Sequence, residues 1–217
     1  MNIIIFGKPG SGKGIISQTL INHGFIQLST GDLLRKEINK KTELGNEIDK
    51  LLSQGKFASD EVIFTLVNNF IKENNDKNII FDGFPRNLAQ AEELIKQAVN
   101  IRYFFNLNVD DQTVLARASS RLVHPPSGRI YNLNNPQLMP KIAMTDDVTG
   151  EQLIQRNDDK PEVIKERLKT YQKVTAPVYH FLKDKVETIE IDATINLNDQ
   201  IKLILSYCNN NKLKLSI

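Results

Sequence analysis

Four consecutive apolar residues, Ile3-Ile4-Ile5-Phe6, run straight into Gly7-Lys8-Pro9-Gly10-Ser11-Gly12-Lys13-Gly14. A buried strand that stops at a glycine-rich turn and enters a helix makes a cradle of backbone N–H groups at the helix N-terminus. Such a cradle suits a polyphosphate, and Lys13 adds a full positive charge where β- and γ-phosphates would lie. The spacing is that of the P-loop, G-x-x-x-x-G-K, and the strand before it and helix after it distinguish it from an ordinary glycine turn. Gly14 stands where most P-loop proteins carry a Ser or Thr whose hydroxyl binds Mg²⁺, so a metal here must be held another way.

Apolar, β-branched runs recur at 3–6, 25–28, 79–81, 103–109 and 186–191, with helical patterns between them. That alternation predicts an α/β fold with a parallel sheet covered on both faces, and ligands in such sheets bind at the carboxyl ends of the strands. Two stretches fall outside this core. Residues 29–58 read as a small helical excursion. Residues 121–158 are poor in helix signals and rich in Pro, Gly, Asn and Asp, and a loop-rich insertion of that length is usually a functional lid. Beyond it, Asp159 is the expected helix cap and Pro161 the first-turn proline. Pro177 is expected to kink the helical pattern that follows, and Asn209–Asn210–Asn211 is read as a frayed end.

With 217 residues the chain can bury one sizeable core. Its 28 basic and 26 acidic residues nearly balance, so no general attraction to nucleic acid or to a membrane surface is expected. Cys208 is the single cysteine, which excludes an internal disulfide framework. The first strand starts at residue 2 and no apolar run reaches about 18 residues, so a cytoplasmic setting is expected.

Asp82 ends an apolar strand in the sequence Asp82-Gly83-Phe84-Pro85-Arg86. A carboxylate at that strand end, beside a P-loop, is placed to act on a nucleotide's Mg²⁺ through metal-bound water. Gly83 lets a ligand approach the backbone, and Arg86 is expected to face the same cleft. Thr30 is read as the N-cap of the next helix, with Arg35 one turn in. Arginines flank the 121–158 insertion: Arg117 and Arg121 before it, Arg156 and Arg167 after it, with Arg129 inside. Scattered arginines are usually solvated, but at both hinges of one insertion they can close on a polyphosphate. Asp158 and Asp159 are expected to orient Arg156 or meet the metal's water shell. His124-x-x-Ser127 and Asp146-x-x-Thr149 have zinc-knuckle spacing with the wrong ligands, so a hydrogen-bonded polar cluster is expected there and no zinc.

Taken together, these blocks resemble the adenylate kinase family in its long-lid form, along essentially the whole chain. The resemblance implies reversible phosphoryl transfer from Mg-bound ATP to AMP, on a P-loop core of 1–28, 59–120 and 159–217 with a five-stranded parallel sheet. It implies an AMP-binding insertion at 29–58 and a lid at 121–158, in a monomeric enzyme with ATP and AMP as its partners. By position, ATP would lie on Gly10, Ser11, Gly12, Lys13, Gly14 and Ile15, with Arg117, Arg121, Ile130, Tyr131 and Ile195 around it. AMP would be held by Thr30, Arg35, Lys56, Phe57, Ala58, Gly83, Phe84, Pro85, Arg86, Gln90, Arg156 and Arg167. Catalysis would fall to Lys13, Arg86, Arg121, Arg156, Asp158 and Arg167. The run from Leu153 to Glu162 is also similar to mitochondrial GTP:AMP phosphotransferase, which leaves GTP open as donor. Ile15 replaces a usual threonine and Lys8 brings an unusual charge into the loop, so a nucleotide-binding homologue without transfer also stays open.

Overall fold

The computed structural model describes residues 1–54, 58–97 and 99–210. In chain order the elements are β1 (Asn2–Gly7), α1 (Lys13–Ile21), β2 (Phe25–Ser29), α2 (Thr30–Asn39), α3 (Glu43–Ser53), α4 (Asp60–Glu73), β3 (Asn78–Asp82), α5 (Leu88–Lys96), β4 (Ile101–Asn108) and α6 (Asp111–Ser119). There follow β5 (Arg121–Val123), β6 (Ile130–Asn132), α7 (Pro161–Thr170), α8 (Ala176–Leu182), β7 (Glu187–Asp192) and α9 (Leu197–Asn210). The expected five-stranded parallel sheet forms in the order β2-β3-β1-β4-β7.

β1 lies in the middle because its side chains are apolar on both faces. Ile3 and Ile5 point to one side, where they pack with Ile16 and Leu20 of α1, Ile164 of α7 and Ile204 of α9. Ile4 and Phe6 point to the other, against Val67 of α4, Leu94 of α5 and Val178 of α8. This alternation follows from the two-residue period of a strand. Central β1 therefore delivers its glycine-rich turn to the middle of the sheet's carboxyl edge, with Asp82 at the end of neighbouring β3. Among the described residues, no helix is long and apolar enough to cross a membrane.

Helix starts are written locally by side-chain caps: Thr42 accepts from Gly45 N, Asn87 from Gln90 N and Asp110 from Thr113 N, each worth about 1 kcal/mol. Four local expectations change. Ser29, not Thr30, caps α2, accepting from Asp32 N at 3.2 Å, because β2 runs one residue further than its apolar pattern. Lys160 occupies the cap position of α7 and makes no side-chain cap, since the Asp159 carboxylate is drawn away to Arg121. The chain accommodates Pro177 with a π-helical turn, Tyr171–Thr175, just before α8; the wider turn avoids the clash of the proline ring with the preceding carbonyl. Finally, α9 continues through Asn210, where fraying was expected from 209; residue 211 lies outside the described residues.

The 29–58 stretch is helical through α2 and α3. The 121–158 stretch is built on the antiparallel β5–β6 hairpin, with bridges Val123–Ile154 and Thr145–Gln152 closing its loops.

Candidate active site

The P-loop turn depends on backbone shapes that only glycine adopts readily. Gly7 has φ 143°, and a Cβ there would sit 2.7 Å from the Leu107 carbonyl oxygen of β4. Lys13, the first residue of α1, folds back over the loop and donates to Gly7 O at 2.7 Å and Lys8 O at 2.6 Å. Burial pushes its ammonium down to about 7; Asp82 opposes this, while Arg86, Arg167 and Arg121 reinforce it.

A cavity of about 510 Å³ opens above this turn. Its wall carries Lys13, Arg35, Arg86, Arg121, Arg156 and Arg167, six cations each from a different stretch of chain, with Arg117 as a seventh. Asp32, Asp82 and Asp158 are the carboxylates on the same wall. The guanidiniums feel one another: Arg86 is pushed down to about 10 by burial and then by Arg167, and Arg156 to about 10 by burial and then by Arg35. So much like charge in a low-dielectric space is costly until an anion enters. Burial raises the Asp82 carboxyl above its ordinary range, and the Lys13 charge only partly offsets this.

The hydrogen bonds of Asp158 and Asp159 go to arginines other than Arg156. Asp158 binds Arg167, Oδ2 accepting from NH1 at 2.8 Å, and Asp159, fully buried, is the ion-pair partner of Arg121. Arg156 instead comes within 3.8 Å of Asp32, which also pairs with Arg35 at 2.6 Å. The reason is reach: two adjacent aspartates in a 3₁₀ turn point to different sides, one toward α7 and one toward β5.

Gly10, Ser11, Gly12, Gly14, Ile15, Gly83, Phe84, Pro85, Arg117, Ile130 and Ile195 also line the cavity. Gly83 has φ 75°, a backbone shape that residues with a side chain rarely adopt. Several anticipated residues are not among those lining the cavity. Thr30 donates to Gly83 O at 2.7 Å. Gln90 accepts from Arg86 N at 2.7 Å and donates to Asp60 at 2.7 Å, bracing the turn from behind. The Tyr131 hydroxyl donates to Asp146 at 2.9 Å, away from the cavity, and Ala58 is buried in the core beneath α4. Lys56 and Phe57 lie outside the described residues.

Other contributors had no sequence signal. Gln27 of β2 donates to Asp82 Oδ2 at 2.8 Å, and Gln200 of α9 lines the cavity beside Ile195. Gln18 of α1 donates to Gly128 O at 2.5 Å, tying the 121–158 stretch to the P-loop helix. Within that stretch, His124 is hydrogen-bonded to Ser127 at 2.7 Å and to Glu151 at 2.5 Å, while Asp146 accepts from Arg129, Tyr131 and Thr149. The polar cluster thus extends to Arg129, Tyr131 and Glu151, beyond the four residues that spacing had picked out. Among the described residues, no group of three His, Cys, Asp or Glu side chains is gathered to hold a metal.

A phosphate cradle, a set of cations lining one cavity and a loop-rich insertion beside it are features shared by nucleotide phosphotransferases. The adenylate kinase family model matches residues 5–187. The chain belongs to the adenylate kinase family. Adenylate kinase of Emericella nidulans is 41% identical over 218 residues, covering 97% of this chain and 83% of that protein. GTP:AMP phosphotransferase, mitochondrial, of Drosophila melanogaster is 42% identical over 183 residues, covering 84% of this chain and 83% of that one. Family membership makes this chain a nucleoside monophosphate kinase.

Proposed function

We propose that the protein transfers the γ-phosphoryl group of ATP reversibly to AMP, giving two ADP. The observation that carries this reading is the set of cations lining one cavity, between the P-loop and the Gly83–Arg86 turn. The donor triphosphate would lie on the backbone N–H groups of residues 10–15, and the acceptor phosphate against Arg35, Arg86, Arg156 and Arg167. The attacking phosphate oxygen is already anionic, so no general base is needed. Catalysis then consists of alignment and of neutralising charge on the equatorial oxygens by Lys13, Arg86, Arg121, Arg156 and Arg167. Asp158 would act by holding Arg167, and Asp159 by holding Arg121.

Magnesium suits this donor set. Asp82 lines the cavity beside Gly14, where an added Cβ would lie 3.7 Å from its Oδ2 and 3.1 Å from Ile130 Cδ1. With no hydroxyl at position 14 and Ile130 close against it, the loop offers a cation few direct ligands, which fits one that retains several waters and is held mainly by phosphates. Bound with the nucleotide, it would neutralise charge on the β- and γ-phosphates. Asp82 would hold its water shell, with Gln27 fixing the carboxylate.

Residues 121–158 would act as the lid, excluding water that competes for the phosphoryl group, and 29–58 would carry the acceptor side. The test is product formation from ATP or GTP against AMP, CMP, UMP and GMP. ADP from ATP and AMP is the expected result. Nucleotide binding with no transfer to any acceptor would overturn the reading.

A further inference from the structure

The donor end of the cavity contains one polar group whose orientation is chemically forced. Gln200 sits one turn into α9, 4% exposed, on the cavity wall beside Ile195 and Leu197. Its amide nitrogen donates to Ile195 O at 2.8 Å and to Ala193 O at 3.3 Å. Ala193 O also accepts from Arg117 NH2 at 2.8 Å. A side-chain amide is normally ambiguous between its two orientations. Here both neighbours are backbone carbonyls, which can only accept, so the NH₂ must face them and Oε1 must face away. Turning the amide over would set three oxygens against one another.

Both amide hydrogens and both lone pairs of Ala193 O are therefore committed, and one lone pair of Ile195 O is taken as well. Among the described residues no donor reaches Gln200 Oε1. The residue is nearly buried, yet its oxygen is not sealed in by protein, so it opens toward the cavity that Gln200 lines. Ile195, Leu197, Pro136 and Leu138 give the same cavity apolar surface, and Arg117, which shares the Ala193 carbonyl, lines it too. A base lying against these apolar side chains would meet a fixed acceptor at its edge.

We propose that Gln200 Oε1 reads the donor base, favouring a purine with an exocyclic 6-amino group over one with a 6-oxo group. An amino group donates to the oxygen; a 6-oxo group turns lone pairs toward it and leaves the acceptor unsatisfied. This rests on the donor-nucleotide reading above and adds to it the residue that decides between adenine and 6-oxopurine donors. Ile195 then contributes chiefly an apolar surface and an anchor for Gln200.

The test is direct binding by calorimetry, with no turnover required. Probes are ATP, purine riboside triphosphate (the same ring without the amino group) and inosine triphosphate. In the parent protein ATP should bind about three- to tenfold more tightly than purine riboside triphosphate, with inosine triphosphate weakest. Gln200→Met, similar in length and lacking both amide groups, should bring the three affinities together while leaving the AMP affinity unchanged. Equal affinities for ATP and purine riboside triphosphate in the parent would overturn the proposal, even if the variant does not fold. An unchanged ATP preference in a folded Gln200→Met would overturn it too. ADP formation assayed alongside separates the two readings: transfer without base preference sinks this inference alone, and preference without transfer sinks the catalytic reading alone.

Discussion

Replacing Lys13 by Met should raise the stability of the ligand-free protein while abolishing most of its activity. In the fold the Lys13 ammonium is held at about 7 against an ordinary 10.5. Each tenfold change in protonation is about 1.4 kcal/mol, so the displacement corresponds to on the order of 5 kcal/mol. Below about pH 7 the side chain is charged in both folded and unfolded chains, and the full penalty is present. Between about pH 7 and 10.5 the unfolded chain binds the extra proton, so stability climbs with pH. Above 10.5 both forms are neutral and the penalty is gone. Methionine keeps the length of the side chain without its charge; the lost bonds to Gly7 O and Lys8 O are replaced by water from the open cavity. Urea unfolding of parent and variant, ligand-free, at a series of pH values gives the difference directly. The variant should be the more stable by a few kcal/mol near pH 6, with the advantage vanishing toward pH 10. Parallel stability curves across that range would refute the reasoning, because they would mean that Lys13 titrates in the fold as it does in water. The same variant should lose donor affinity and turnover at every pH.

Two further outcomes follow from the cation set. Arg86→Ala should lower turnover by about 10³–10⁵ with secondary structure unchanged, and a near-normal rate in a coupled ADP assay would remove Arg86 from the reaction. Asp159→Asn leaves the Arg121 guanidinium buried without a counter-charge, which costs about 3–5 kcal/mol. For 217 residues that lowers Tm by about 7–11 °C, and an unchanged calorimetric melt would show the pair to be dispensable.

What could be read along the chain was whatever one short window encodes. The apolar run 3–6 with its glycine turn and Lys13 predicts a central strand, a phosphate cradle and a helix, because hydrophobic period and backbone freedom act over a few residues. The caps at Thr42, Asn87 and Asp110 are equally local. The Ser29 cap was missed by one residue, since only pairing with β3 shows how far β2 extends. Residues with one strong chemical identity, such as Asp82 at a strand end and the arginines flanking 121–158, could be nominated from their positions. Their partners could not.

Arg121 meets Asp159 across 38 residues, Gln27 meets Asp82 across 55, and Gln90 meets Asp60 across 30. Such pairings exist only after the sheet has ordered its strands as β2-β3-β1-β4-β7. Charge type and local geometry are properties of a residue and its neighbours in sequence, so composition and pattern carry them. Which carboxylate neutralises which guanidinium, and which way the Gln200 amide must face, depend on a low-dielectric interior built from distant segments. There an unmatched charge or a misdirected donor is expensive, and packing alone determines who is close enough to match it.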